Sequence, residues 1–165
     1  MLTFSGKKLH KDDMKVLRNV AKYTLNKFIV PCVQQKIRVR VNLVDTLMGW
    51  SGECYYLGNE NGIRTFDITV SVRKYKPNAK KVLTRMSDPM RTLIHELIHV
   101  KQYANNQLFD YIDGDTKFEG RVFKRAGDND YEKYWDSPWE VEAYGRTDGV
   151  FAMFCFYNGL KGADK

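Results

Sequence analysis

The run Met90-Arg91-Thr92-Leu93-Ile94-His95-Glu96-Leu97-Ile98-His99-Val100-Lys101-Gln102-Tyr103-Ala104 decides how this chain is read. Met90, Leu93, Ile94, Leu97, Ile98, Val100 and Ala104 make it a helix that is apolar over more than half its circumference, so the helix is expected inside a domain. The polar stripe left over is Thr92, His95, Glu96, His99, Gln102 and Tyr103. Residues four apart on a helix lie one above the other, so His95 and His99 can turn ring nitrogens to one tetrahedral metal ion. Glu96, one step round, is then placed to take a proton from a metal-activated water. Two imidazoles and a carboxylate on a mostly buried helix are costly to desolvate unless something charged or hydrogen-bonding binds them.

A hydrolytic zinc site takes three protein ligands and leaves a fourth position open. His10 is the only other histidine, which turns the search for the third ligand to carboxylates and cysteines. Ser137-Pro138-Trp139-Glu140-Val141-Glu142-Ala143-Tyr144-Gly145 begins a second helix, with Ser137 as N-cap and Pro138 as its first residue. Glu140 shares a face with Ala143, Tyr144, Thr147, Phe151 and Phe154, the face expected to turn inward. Glu142 falls beside Gly145, Arg146 and Gly149, outward, where an ion pair with Arg146 accounts for it. Glu140 is therefore the expected third ligand. Ser137 followed three residues later by Glu140 also fits a capping box, in which the carboxylate only reaches back to the N-cap amide.

The pairing of His95-Glu96-x-x-His99 with a later helix carrying Glu140-x-x-Ala143 resembles the gluzincin division of zinc metallopeptidases. More narrowly, residues 95 to 102, the stretch Lys117-Phe118-Glu119-Gly120-Arg121-Val122-Phe123 and the Ser137 to Ala143 run are similar to small phage-type or SprT-like predicted peptidases. The resemblance spans roughly residues 30 to 157, and its specific part is the two helical motifs. It implies zinc held by His95, His99 and Glu140, with Glu96 as general base and a peptide or protein as substrate. Metzincins carry a glycine and a third histidine where this chain has Gln102 and Asn105. SprT-type proteins usually supply a third histidine shortly after the second, which is absent here. Many gluzincins place an aspartate four residues after the ligand glutamate, where this chain has Tyr144. Tyr144, Tyr103 and Arg146 are candidates for stabilising an oxyanion or contacting substrate.

Around these motifs the chain alternates between two periods. Residues 12 to 29 hold an amphipathic helix ended by Pro31. Lys36 to Leu43 and Thr65 to Val72 alternate as half-buried strands, with a short strand from Cys54 to Leu57 and a turn at Asn59 to Gly62 between them. Asp88 as N-cap and Pro89 in the first turn place the start of the histidine helix, which is expected to run to Asn105 or Asn106. Thr116 to Lys124 is expected to form a strand or hairpin limb walling the cleft. The expected architecture is α+β, a single zincin-like domain over residues 1 to 165 with a small, mainly antiparallel sheet, residues 1 to 11 flexible and 158 to 165 a tail. Thr65 to Val72 is a candidate edge strand for pairing with an extended peptide, or else an interior strand.

No stretch approaches the roughly 20 apolar residues of a membrane span, and the amino terminus lacks the apolar core of a signal peptide. Cys32, Cys54 and Cys155 are odd in number and widely spaced, which points to buried free thiols and a reducing, cytoplasmic setting. Net charge is +11 over residues 1 to 85 and −4 over residues 86 to 165. The densest basic segment, Arg73 to Arg85, is either a solvated linker or a surface for nucleic acid or another acidic partner. The chain is therefore expected to be a zinc-dependent peptidase. The competing expectation is a basic, nucleic-acid-associated module with a structural or vestigial zinc.

Overall fold

The computed structural model describes residues 1–45, 50–125, 127 and 130–160. Strand β1 (Leu2–Gly6) leads into helix α1 (Lys11–Phe28) and a short helix α2 (Pro31–Gln34), and the chain returns as β2 (Ile37–Val44). A hairpin of β3 (Gly52–Glu60) and β4 (Ile63–Ser71) precedes the long helix α3 (Val82–Ala104). Three short strands, β5 (Leu108–Asp110), β6 (Thr116–Phe118) and β7 (Arg121–Phe123), are followed by helices α4 (Tyr131–Trp135) and α5 (Pro138–Tyr157). This is an α+β fold with a mixed sheet and a separate small antiparallel sheet.

The main sheet runs in the order β1-β2-β4-β3, with β1, β2 and β4 parallel and β3 antiparallel to β4. It is mainly parallel, which corrects the antiparallel expectation. Alternation in Ile37 to Leu43 and Phe66 to Val72 assigns faces, but a period of two is the same whichever way the neighbour runs. The hairpin turn falls at Asn61 and Gly62, both at positive φ. The hairpin then docks through β4 onto β2, so the strand offered as a sheet edge lies inside and β3 takes the edge.

The amino terminus also departs from expectation. Residues 2–6 pair in parallel with residues 39–43, and the Lys7 amide continues the ladder to the Leu43 carbonyl at 2.7 Å. At Gly6, where φ is +88°, an added Cβ would lie 2.2 Å from the Leu43 carbonyl oxygen, so only glycine fits. Parallel pairing needs a long crossover, and α1 supplies it.

One sheet face carries Val39, Val41, Leu43, Phe66, Ile68 and Val70, all fully buried. The other exposes Arg38, Arg40 and Asn42, and Arg40 pairs with Asp67. Helix α1 packs on α3 through its buried residues Leu17, Val20, Ala21 and Leu25, and α3 in turn packs against β3, β4 and α5. The three cysteines are free, with Cys155 buried, Cys54 half-buried and Cys32 exposed rather than buried. Among the described residues no helix is long and apolar enough to cross a membrane.

Helix α3 starts at Val82 with Lys81 as N-cap, seven residues before the expected N-cap Asp88. Pro89 sits inside it and removes one N–H, the one that would reach the Arg85 carbonyl. The extra turns are held by packing and by a buried ion pair. Met86 is fully buried, and Arg85 donates to both oxygens of Asp13 on α1 (2.8 Å from Nη2 to Oδ1, 3.0 Å from Nε to Oδ2) and to the Ala79 and Lys80 carbonyls. The Tyr75 hydroxyl donates to Asp13 at 2.8 Å. Arg85 is thereby taken out of the basic segment and made structural.

Burial raises the Asp13 pKa, but the Arg85 and Tyr75 hydrogen bonds outweigh it and hold the carboxyl below its ordinary value. A depressed folded pKa gives stabilisation that is complete above the unfolded range of about 4 and fades as pH falls through the folded value. Asp13→Asn leaves Arg85 buried without a counter-charge and is expected to cost about 3 kcal/mol at neutral pH. In denaturant melts the gap between variant and wild type should narrow as pH drops below about 4.

Candidate metal centre and its cleft

The apolar positions of α3 commit most of the helix to the core; of its polar stripe, His95, His99 and Gln102 face α5, Thr92 and Glu96 lie against Gly52, and Tyr103 turns to Tyr56 and Asp110. Pro138 starts α5 and Ser137 is its N-cap, so the helix begins where sequence placed it. The capping box does not form. Ser137 Oγ donates to the Tyr134 carbonyl at 2.6 Å, and the Glu140 carboxylate turns to the histidines instead.

Three side chains meet there in a triangle. His95 Nε2 lies 3.2 Å from His99 Nε2 and 3.3 Å from Glu140 Oε2, and His99 Nε2 lies 3.4 Å from Glu140 Oε1. A tetrahedron with zinc–ligand bonds of about 2.0–2.1 Å has edges of about 3.3 Å, and each of these contacts is close to that length, the two to Glu140 falling on different oxygens of its carboxylate. Glu140 Oε2 is buried and accepts no hydrogen bond. Two imidazole nitrogens and an unpartnered buried carboxylate oxygen make a donor set that could hold a divalent metal.

Around the triangle the protonation balance is tilted. Glu140 loses to desolvation but gains more from His95 and His99, which draw its pKa down to about 2. His99 goes the other way: burial lowers it and Glu140 more than restores it, leaving it raised. Glu96, only 5% exposed, is pushed up to about 8, first by burial and further by Glu140 and Glu53, against an opposing pull from His99.

The three side chains are braced by neighbours. The Tyr134 hydroxyl donates to Glu140 Oε1 at 2.9 Å. His99 Nδ1 lies 2.8 Å from Gln102 Oε1, while the Gln102 amide nitrogen donates to the Trp139 carbonyl at 2.9 Å and to Glu142 Oε2 at 3.0 Å. Glu142 does pair with Arg146, at 2.7 Å, but it is not an outward group. It also accepts from Lys101 at 2.6 Å, and its side chain is 16% exposed.

Comparison with family models, curated proteins and solved structures finds no match to this chain. The reading of the site therefore rests on its own geometry. A cleft of about 1310 Å³ opens over the triangle, walled by the start of β3, by α3 and α5, and by the β5–β7 and α4 segments. Tyr144 lines it, its ring 4.4 Å from that of His95, with about half its surface exposed. Tyr103 also lines it, but its hydroxyl donates to Asp110 and its ring stacks on Tyr56. Arg146 does not reach the cleft: its guanidinium lies against Glu142 and 5.5 Å above the Phe28 ring. Trp139 anchors α5 to the small sheet through Phe118 and Phe123.

Several contributors were not singled out from sequence. Tyr134 and Trp135 sit on α4, whose cue was Asp130 capping the Lys133 amide. Trp50 meets both rings, at 5.7 and 6.0 Å, and completes an aromatic rim. Gln102 was legible as the residue three after His99 on the same face. Gly52 had no sequence cue, yet an added Cβ there would lie 2.5 Å from Glu96 Oε1 and 2.6 Å from Thr92 Cγ2. Gly52→Ala is expected to displace the Glu96 carboxylate while leaving the His95, His99 and Glu140 triangle in place. A crystal structure of the variant checks this, and an unmoved Glu96 carboxylate would contradict it.

Proposed function

We propose that this chain is a zinc-dependent peptidase with a zincin-like active site. The observation that supports this reading is the triangle of His95 Nε2, His99 Nε2 and Glu140, with Glu96 beside it at the floor of an open cleft. Zinc bound there would polarise a scissile carbonyl and acidify an attacking water. Glu96 takes that water's proton and passes it to the leaving amine, the two transfers that peptide hydrolysis requires. Burial that raises its proton affinity suits it to hold the proton between them.

Substrate access follows from the sheet order. The edge strand β3 begins at the cleft with Gly52, Glu53, Cys54 and Tyr55 lining it, and an edge strand can pair with an extended peptide backbone. The absence of a side chain at Gly52 lets that backbone and Glu96 approach the same point. Tyr144, packed against His95, and Tyr134, bonded to Glu140, are the phenols in direct contact with the three-residue cluster, and Arg146 has no part in it.

Elemental analysis of protein purified without chelator should give about one zinc per chain for wild type and Glu142→Ala, and little for Glu140→Ala. Glu96→Gln should keep zinc and lose about 10²- to 10⁴-fold in peptide-library cleavage. Undiminished cleavage by Glu96→Gln would sink the mechanism.

A further inference from the structure

Gln102 is fully buried, and its amide nitrogen faces two groups whose hydrogen-bonding role is fixed. The Trp139 carbonyl and the Glu142 carboxylate can only accept, so the amide nitrogen must face them, as it does at 2.9 and 3.0 Å. That leaves Oε1, an acceptor, 2.8 Å from His99 Nδ1. A short contact there is favourable only if Nδ1 carries a proton and donates. Protonation at Nδ1 makes Nε2 the nitrogen available to coordinate, the atom 3.2 Å from His95 Nε2. Glu142 is fixed in its turn by Lys101, which is buried, and by Arg146.

We propose that Gln102 is a positioning residue that locks His99 with its proton on Nδ1 and its Nε2 facing the metal position, and that Glu142 and the Trp139 carbonyl set the sense of the Gln102 amide. The inference deepens the zinc reading and rests on it for its effect on metal affinity. The proton position on Nδ1 stands without it. The device crosses two helices: His99 and Gln102 belong to α3, Trp139 and Glu142 to α5. Docking α5 therefore delivers Glu140 to the site and, two residues later, the carboxylate that orients the opposite ligand.

The test joins histidine ¹⁵N–¹H spectroscopy of the full chain with zinc affinity by chelator competition. In wild type, His99 should show an Nδ1 proton protected from exchange. In Gln102→Met, close in length but unable to accept, that protection should be lost and the zinc Kd should rise about 10- to 100-fold. Glu142→Ala, which removes one of the two acceptors holding the amide, should retain zinc but bind it less tightly than wild type, with faster exchange of the same proton. It serves as the informative variant if Gln102→Met does not fold. An unprotonated Nδ1 in wild type, or wild-type zinc affinity in both variants, would overturn the proposal. Wild type that binds no zinc yet keeps the protected proton would overturn the metal reading and leave the lock supported.

Discussion

Helix α3 is wedged between α1, the buried face of the sheet and α5, and His95, His99 and Gln102 of its polar stripe turn towards α5. That constraint organises the rest of the molecule. Glu96 and His99 are buried because their helix is, and groups of this kind are tolerated inside a protein only when partners are supplied. For His99 and Gln102 the partners come from one segment: Glu140, Glu142 and the Trp139 carbonyl lie within a single turn of α5, and Tyr134, which bonds Glu140, lies just before it.

The histidine helix, the glutamate helix and the alternating strands were all legible, because each is a periodic pattern with local signals at its ends. His95, Glu96, His99 and Glu140 followed from helical spacing together with the lack of a third nearby histidine; the structure groups His95, His99 and Glu140, and Glu96 lines the same cleft. What escaped was set by partners distant in sequence. The β1 strand has only Leu2 and Phe4 to mark it and exists through pairing with residues 39–43. The early start of α3 depends on Asp13, 72 residues before Arg85. Sheet direction was misjudged for the same reason, since it depends on which limb of the β3–β4 hairpin meets β2. Glu142 looked like a surface residue because its three donors, Lys101, Gln102 and Arg146, come from two helices and the pattern within α5 revealed only one of them.

The charge halves seen in the sequence also acquire a structural meaning. The basic half supplies the sheet and its exposed face, where Arg38 and Arg40 point to solvent and Arg85 is spent on the core. The acidic half supplies α5 and the outer wall of the cleft. The site thus sits where the two halves meet, with Glu53 reaching it from the first and Glu140 from the second.

Arg64, at the start of β4, donates through Nη1 to the Tyr103 and Ala104 carbonyls at 2.8 and 2.9 Å and through Nη2 to Asn106 at 2.7 Å. These are the carbonyls that a helix end leaves without intrahelical donors. The bond set welds the sheet to the last turn of α3, so the β3 wall and the histidines form one stiff body. The opposite wall is built differently: α4 has no buried residue, and the small sheet contributes only Leu108 and Phe118 to the buried set. Local opening concentrates where few buried contacts resist it. Of the two walls of the cleft, the one that carries Trp135 and Tyr134 is therefore the one with fewer buried contacts to resist local opening.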